Sequence, residues 1–356
     1  MELKHYTEDA VALLQELIET PSVSRSEDKA ADVLIRHLER YGLSWQREGN
    51  NVWCLSPDFQ PDRTTILLNA HIDTVKPVAS WTKDPFKASL EGDVLYGLGA
   101  NDCGGGLVSL LQAFRIICAS SSNLHSPTST QNLIFLTSAE EEVSGQEGVV
   151  KALPLLPRVD VAIVGEPTGM QPAVAEKGLM VLDMIARGKS GHAARNEGVN
   201  AIYKMLDDLC RLRDFRFEKV SSFLGETRLQ VTMLNAGTQH NVVPDECHAV
   251  IDVRTNELYT NEEAFSLISE LISSEVTARS FRLSSSHINP DHPLIRKCID
   301  MGKTPFGSPT LSDQALMPFP SFKMGPGDSA RSHSADEFIR ISEISDAITT
   351  YVRLLS

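Results

Sequence analysis

The stretch Thr65-Ile66-Leu67-Leu68-Asn69-Ala70-His71-Ile72-Asp73 decides how this chain folds and where its chemistry sits. Its first four residues form a short apolar run of the kind that becomes a strand buried on both faces. The run then meets a histidine and an aspartate, which are metal-binding residue types. Two other runs repeat the pattern. Asn132-Leu133-Ile134-Phe135-Leu136 leads to Glu140-Glu141-Glu142, and Val159-Asp160-Val161-Ala162-Ile163-Val164 leads to Gly165-Glu166-Pro167. In open α/β sheets ligands gather beyond the carboxyl ends of the strands, so groups far apart in sequence can converge there.

Working outward, Gly104-Gly105-Gly106 opens a helical stretch from Leu107 to Cys118 between the first two strands. Strand, helix, strand alternation predicts an α/β fold with a mixed, mostly parallel sheet covered by helices. Upstream, Ala10, Leu13, Leu14, Leu17 and Ile18 share one helical face, with Thr7 as N-cap and Pro21 beyond the end. Ser24-Arg25-Ser26-Glu27 reads as a capping box for a second helix that runs to Tyr41 and stops at Gly42. The polar run Ser120–Gln131 reads as a surface loop.

The middle of the chain changes character. It reads as strand (Met180–Ala186), helix (Val199–Arg213), strand (Arg228–Leu234), strand (His248–Arg254), helix (Glu262–Glu275) and strand (Ser280–Ser284). That order is the split βαβ plan, a four-stranded sheet with two helices on one face. We expect residues 178–286 to form a separate dimerisation or lid domain inserted into a catalytic domain made of 1–177 and 287–356. The last part supplies more helix, a short strand near Phe322–Met324 and a final helix.

Composition agrees with this plan. A chain of 356 residues exceeds one core of usual size. Its net charge of -14 repels nucleic acid and anionic membranes, which favours a small-molecule substrate. An anionic substrate must then meet locally placed Arg, Lys or metal. No segment approaches the ~20 apolar residues of a membrane span. The start Met1-Glu2-Leu3-Lys4-His5 lacks the pattern of a signal peptide. Six scattered cysteines with no C-x-x-C pair imply neither a disulfide framework nor a thiolate zinc site. The cytoplasm is the expected compartment.

Two further candidates join the strand-end residues. They are Asp102, in Tyr96-Gly97-Leu98-Gly99-Ala100-Asn101-Asp102, and His333, in Asp328-Ser329-Ala330-Arg331-Ser332-His333. Histidines with carboxylates and no cysteine suit Zn²⁺, with Mn²⁺ or Co²⁺ also compatible. Singly these signals are weak, since a strand-end histidine is usually a satisfied polar residue and an acidic triplet usually a solvated turn. Three adjacent carboxylates after an apolar strand do repel one another, however. A cation or a proton-transfer role would absorb that cost.

The ordered set resembles the acetylornithine deacetylase and succinyl-diaminopimelate desuccinylase group of dinuclear zinc metallopeptidases, which also holds aminoacylases and carboxypeptidase-like members. The likeness runs from Thr20-Pro21-Ser22-Val23 through His71-x-Asp73, Gly97-x-Gly99-x-x-Asp102, the Glu pair, Gly165-Glu166-Pro167-Thr168 and Gly188-x-x-Gly191-His192. It continues through Asn241-Val242-Val243-Pro244-Asp245 and Arg254 to Gly325-Pro326-Gly327-Asp328 and His333. The resemblance implies a zinc-exopeptidase-like catalytic domain, an inserted ferredoxin-like βαββαβ dimerisation domain, a homodimer and two Zn²⁺.

It also implies roles. His71 and Glu166 would bind one ion, Glu142 and His333 the other, and Asp102 would bridge them. Asp73 would orient His71 through its other ring N–H. Glu141 would be the general base, although a slip of one residue would make the base and ligand Glu140 and Glu141. His192 would reach the active site of the partner subunit to stabilise the oxyanion. Arg254 and Asn241 would hold the substrate carboxylate, with Lys177 and Arg195 as weaker anion-binding candidates.

Some positions depart from the family pattern. Cys103-Gly104-Gly105 stands where Met-Lys-Gly is common, which leaves Cys103 as a secondary ligand reading. The family also implies a non-proline cis bond at Asp102–Cys103, and Asn196 stands where it usually has Pro. The implied reaction is hydrolysis of the amide of an N-acyl-L-amino acid, with N-acetylornithine or an acyl-citrulline of arginine biosynthesis as the leading substrate. Succinyl-diaminopimelate, or a dipeptide or tripeptide, is the alternative. A mononuclear aminopeptidase-like enzyme and a catalytically silent binding relative complete the range.

Overall fold

The apolar run at Thr65 becomes the strand Thr65–His71, buried at every residue, in a computed structural model that describes residues 3–121, 131–195 and 197–356. Most of the run read as a loop at 120–131, and Asn196, lie outside the described residues. The strand sits inside a sheet ordered 45–48, 51–55, 132–138, 65–71, 161–164, 321–323, 173–176. The four strands 132–138, 65–71, 161–164 and 321–323 run parallel, and the flanking pairs are antiparallel. The carboxyl ends of those four strands therefore point to one edge, which is what brings the candidate residues together.

Burial on both faces explains why these strands read as continuous apolar runs rather than alternating ones. On one face Leu67, Ile134, Leu136 and Ala162 pack with Trp53, Val149 and Ala152. The helix Gly105–Ser121 lies on strands 65–71 and 132–138 and packs against the helices Leu3–Ile18 and Ile341–Leu355. This helix and the turn before it are long and apolar enough to cross a membrane by composition, but 72% of that window is buried in the protein. It is a core helix.

Two expected helix caps are not formed. The first helix already begins at Leu3, and the Thr7 hydroxyl donates to the Leu3 carbonyl inside it rather than capping it. The second begins at Asp28 without the Ser24–Glu27 capping box. Ser24 instead donates to the Asp73 carboxylate at 2.7 Å, and Glu27 accepts the backbone N–H groups of Arg25 at 2.6 Å and Glu140 at 3.2 Å. Both polar side chains are drawn to the strand ends.

By clustering of contacts, residues 1–174, 288–306 and 312–356 form one unit, and 175–287 with 307–311 form the other. The second unit carries a four-stranded antiparallel sheet ordered 228–236, 246–254, 180–187, 275–278. With the helices Ala201–Asp214 and Asn261–Leu271 it follows the ferredoxin-like βαββαβ order. Met180, Leu182, Met184 and Ala186 alternate inward with Cys247, Ala249, Ile251 and Val253 to meet Met205, Leu212, Ala264 and Ile268 of the helices. Asn200 caps the first helix, and Thr260 with Glu263 forms a capping box on the second. The second helix stops at Leu271, so the last strand is Glu275–Ala278 and not Ser280–Ser284. Buried Asp208 explains the early stop, because its carboxylate takes the N–H groups of Ser273 at 3.0 Å and Ser274 at 2.8 Å.

Candidate metal centre

Each of the four parallel strands delivers donors at its carboxyl end. His71 closes strand 65–71, Glu140–Glu142 follow strand 132–138, Glu166 follows strand 161–164, and His333 lies on the segment after strand 321–323. Asp102 comes from the turn before the helix Gly105–Ser121. The glycines there are needed for closeness: a Cβ on Gly106 would stand 1.7 Å from the carbonyl oxygen of Gly165, beside Glu166.

The carboxylate of Asp102 stands between two imidazoles. Its Oδ1 is 3.1 Å from His71 Nε2, and its Oδ2 is 3.5 Å from His333 Nε2. Glu166 Oε1 lies 3.7 Å from His71 Nε2, and Glu142 Oε2 lies 2.9 Å from His333 Nε2. Glu141 Oε2 is 4.0 Å from His71 Nε2. Glu140 turns away, with its carboxylate towards Arg25 at 3.9 Å and the N–H of Glu147 at 3.4 Å. Both Glu140 (φ 53) and His333 (φ 56) adopt the left-handed backbone region that few non-glycine residues occupy. The Asp102–Cys103 bond is cis.

The donor set fits divalent cations. Nitrogen and oxygen ligands at about 2.0–2.1 Å from a tetrahedral ion stand roughly 3.3 Å from one another, close to the separations on either side of Asp102. Among the described residues, buried Glu166 Oε1 has no hydrogen-bond partner, a costly condition that a cation would relieve. Two groups of donors gather within 4.8 Å, His71 with Asp102 and Glu142, and His71 with Cys103 and Glu166. Burial pushes the Cys103 thiol well above its ordinary range, against the lowering effect of His71, and Sγ rests 3.5 Å from the His71 carbonyl oxygen.

Electrostatics tell the same story. Burial lifts Glu166 to about 8, with Asp102 adding to the effect, and burial lifts Glu141 well above the usual carboxylate range. The hydrogen bond to Glu142 raises His333 to about 9. Burial opposes the charged form of His71, yet Cys103 and Asp102 outweigh it and hold the ring well above its usual range. Metal ligands must give up their protons to bind, so cations at this cluster would replace the protons that burial favours.

Asp73 takes a different place from the one expected. The nearest acceptor to His71 Nδ1 is the backbone carbonyl of Asp73 at 2.9 Å, while the carboxylate is 3.6 Å away. The carboxylate instead accepts the N–H groups of Glu141 at 3.0 Å and Glu142 at 3.2 Å. Successive backbone amides pointing one way form a concavity that binds an anion.

Two residues at the site, Glu337 and Asp313, escaped the sequence reading. Glu337 accepts backbone N–H groups of the Gly99–Asp102 turn, and burial lifts its carboxyl to about 7. Asp313 accepts from Asn69 at 3.1 Å and Ser138 at 2.5 Å, and burial lifts it to about 6. The proximity of Glu337 to His333 in sequence was the only available signal; Asp313 carried none.

The remaining candidates lie in the second unit. His192 is exposed on the short pairing 191–192 with 242–243, and its Nδ1 accepts the N–H of Ala194 at 3.1 Å. Asn241 presents its backbone carbonyl to Ala193. The Arg254 guanidinium is paired with Asp252 at 2.8 and 3.1 Å. Lys177 donates to the Glu226 carbonyl, and burial, then Arg228, lower its ammonium below the usual lysine range.

An α/β sheet with histidines and carboxylates gathered at its strand ends defines a metal-dependent hydrolase. The chain belongs to peptidase family M20/M25/M40, whose profile matches residues 67–356. It is 31% identical to a succinyl-diaminopimelate desuccinylase of Caulobacter sp. (strain K31), across 72% of this chain and 67% of that one. It is 28% identical to an acetylornithine deacetylase of Proteus mirabilis, across 94% of this chain and 92% of that one. Among solved structures it is similar to the aminopeptidase PepT of Bacillus cereus, with TM-score 0.78, 19% identity and 98% of each chain covered. It is also similar to a dinuclear metal-binding M20 peptidase of Bacillus subtilis, with TM-score 0.73, 17% identity and 99% and 98% of the chains covered.

Proposed function

We propose that this enzyme is a two-metal deacylase that hydrolyses the amide of an N-acyl-L-amino acid. The observation that carries the reading is the placement of Asp102, with one carboxylate oxygen towards His71 and the other towards His333. His71 and Glu166 would hold one ion, His333 and Glu142 the other, with Asp102 between them and zinc as the natural choice for this donor set. Bound ions of this kind polarise the amide carbonyl and lower the pKa of the attacking water.

The protein's own part falls to Glu141. Its carboxylate takes the proton of the attacking water as the new C–O bond forms, then passes it to the amine nitrogen as the C–N bond breaks. The products are a carboxylate and a free amino acid. The turn of Glu140 away from the other donors supports Glu141 as base and Glu142 as ligand over the slipped register. In the second unit Arg254 and Asn241 are proposed to hold the substrate carboxylate, and His192 to act on the oxyanion in the partner subunit.

N-acetylornithine, or an acyl-citrulline of arginine biosynthesis, is the leading substrate, supported by an acetylornithine deacetylase relative that matches almost end to end. Succinyl-diaminopimelate is the second reading, supported by the higher identity of one desuccinylase. A cytoplasmic setting agrees with five buried free thiols, Cys54, Cys103, Cys118, Cys247 and Cys298. A panel of N-acetyl, N-succinyl and N-formyl amino acids with a few dipeptides tests the proposal. Turnover of N-acetylornithine or N-acetylcitrulline above the others is expected, and preference for dipeptides would overturn it.

A further inference from the structure

The two segments that supply Asp102 and His333 are sewn together by side chains outside the proposed donor set. Glu337 is 2% exposed. Its Oε1 accepts the N–H groups of Asn101 at 2.8 Å and Asp102 at 2.9 Å, and its Oε2 accepts that of Gly99 at 3.2 Å. Its carbonyl also takes the N–H of Gly97 at 3.0 Å. From the other side, Asn101 Nδ2 donates to the Asp328 carbonyl at 3.0 Å and to Ser332 Oγ at 3.2 Å, while Asn101 Oδ1 accepts the N–H of Asp328 at 3.0 Å. Gly327 leaves room for that contact, since a Cβ there would stand 2.2 Å from Asn101 Oδ1.

We propose that Glu337 is a positioning residue that locks the Asp102 turn onto the His333 segment and so sets Asp102 between two ions; the proposal rests on the two-metal reading above. The hydrogen bonds to the Glu337 carboxylate come from main-chain amides, whereas a buried charge ordinarily has an ionic partner. Cations held next to Asp102 would offset part of the cost of that buried charge. The geometry is demanding, because Asp102 must offer each oxygen to a different histidine, and a shift of the turn by a fraction of an ångström would favour one over the other. A glutamine at 337 keeps the shape but sets its NH₂ against an amide N–H. An aspartate keeps the charge on a shorter arm.

Co²⁺-loaded full-length wild type, Glu337→Gln and Glu337→Asp are taken through a graded chelator series. Cobalt absorption and metal analysis report occupancy, and thermal unfolding of the stripped proteins reports the fold. Glu337→Gln is expected to hold its ions about 10–100-fold more weakly, with Glu337→Asp between it and wild type, while the stripped proteins lose less stability than that change in affinity corresponds to. Two ions held by Glu337→Gln as tightly as by wild type would overturn the proposal. So would a loss of affinity matched by an equal loss of stability in the stripped protein, which would make the role structural. A wild-type chain holding fewer than two ions would instead overturn the two-metal reading beneath it.

Discussion

The carboxylate of Asp73 is bound to the backbone of Glu141, whose N–H it accepts at 3.0 Å, and its second oxygen accepts the N–H of Glu142 at 3.2 Å. Asp73 therefore sets where the acidic turn stands, whereas the contact to His71 Nδ1 comes from its main-chain carbonyl. Replacing Asp73 by Ala should leave that carbonyl contact but release the turn. The expected result is a fall in kcat of about 10–100-fold, with the ion on the Glu142 and His333 side lost before the other. Unchanged metal content and turnover in Asp73→Ala would contradict this account.

Glu141 and Glu142 are neighbours with different surroundings, and substitution should separate them. Glu141→Gln should cut kcat by about 10²–10⁴-fold with both ions retained. Glu142→Gln should lose an ion. If Glu141→Gln lost metal and Glu140→Gln lost turnover, the register would be one residue earlier.

The strands and the metal-donor candidates were legible because each apolar run ends abruptly in a polar residue, and a buried strand can do that only at its edge. The supporting shell was not. Ser24 and Glu27 form a plausible capping box in sequence, yet the structure uses them on Asp73 and Glu140. Glu337 and Asp313 bind main-chain amides and neutral side chains, partners that leave no pattern in a sequence. The last strand of the second unit was misplaced because Asp208, some 65 residues earlier, stops the helix. Such long-range contacts override local propensity.

The raised groups around the site give a pH signature. His333 at about 9, Glu166 at about 8 and Glu337 at about 7 all bind protons more tightly folded than unfolded. A native state that binds more protons loses stability as pH rises. For the carboxyls the loss begins near their unfolded values of 4.5, and for His333 near 6.5, each ending above its folded value. The melting temperature of chelator-treated protein should therefore fall from about pH 5 to about pH 9, and that of loaded protein should change less. Adding Zn²⁺ at pH 7 should release protons, measurable with an indicator dye. A stripped protein that gains stability over that range would refute the assignment.

Asp208 offers a test confined to the second unit. It is buried and accepts from Ser273 N–H, Ser274 N–H and the Ser274 hydroxyl at 2.7 Å. Asp208→Ala should destabilise that unit by about 1–3 kcal/mol through donors left unpaired, with metal content unchanged. Calorimetry of wild type and variant reads the difference. A variant as stable as wild type would show that solvent replaces the carboxylate without cost.

The strand Arg228–Ala236 bears on assembly. It is the edge of its sheet, and Met233 and Leu234 are 55% and 49% exposed. Adjacent strand residues point to opposite faces, so apolar side chains are uncovered on both sides of a nine-residue open edge. Natural proteins seldom leave such an edge bare, and a second copy of the same strand could cover it. Wild type should sediment at twice 39.1 kDa, and Met233→Glu, which would bury a charge in the pairing, should shift it to the single-chain mass. If His192 acts in the partner subunit, the monomeric variant should keep its metal yet lose turnover. A monomeric variant with full turnover would leave the dimer standing but remove His192 from the partner's reaction, and a wild type at the single-chain mass would remove both.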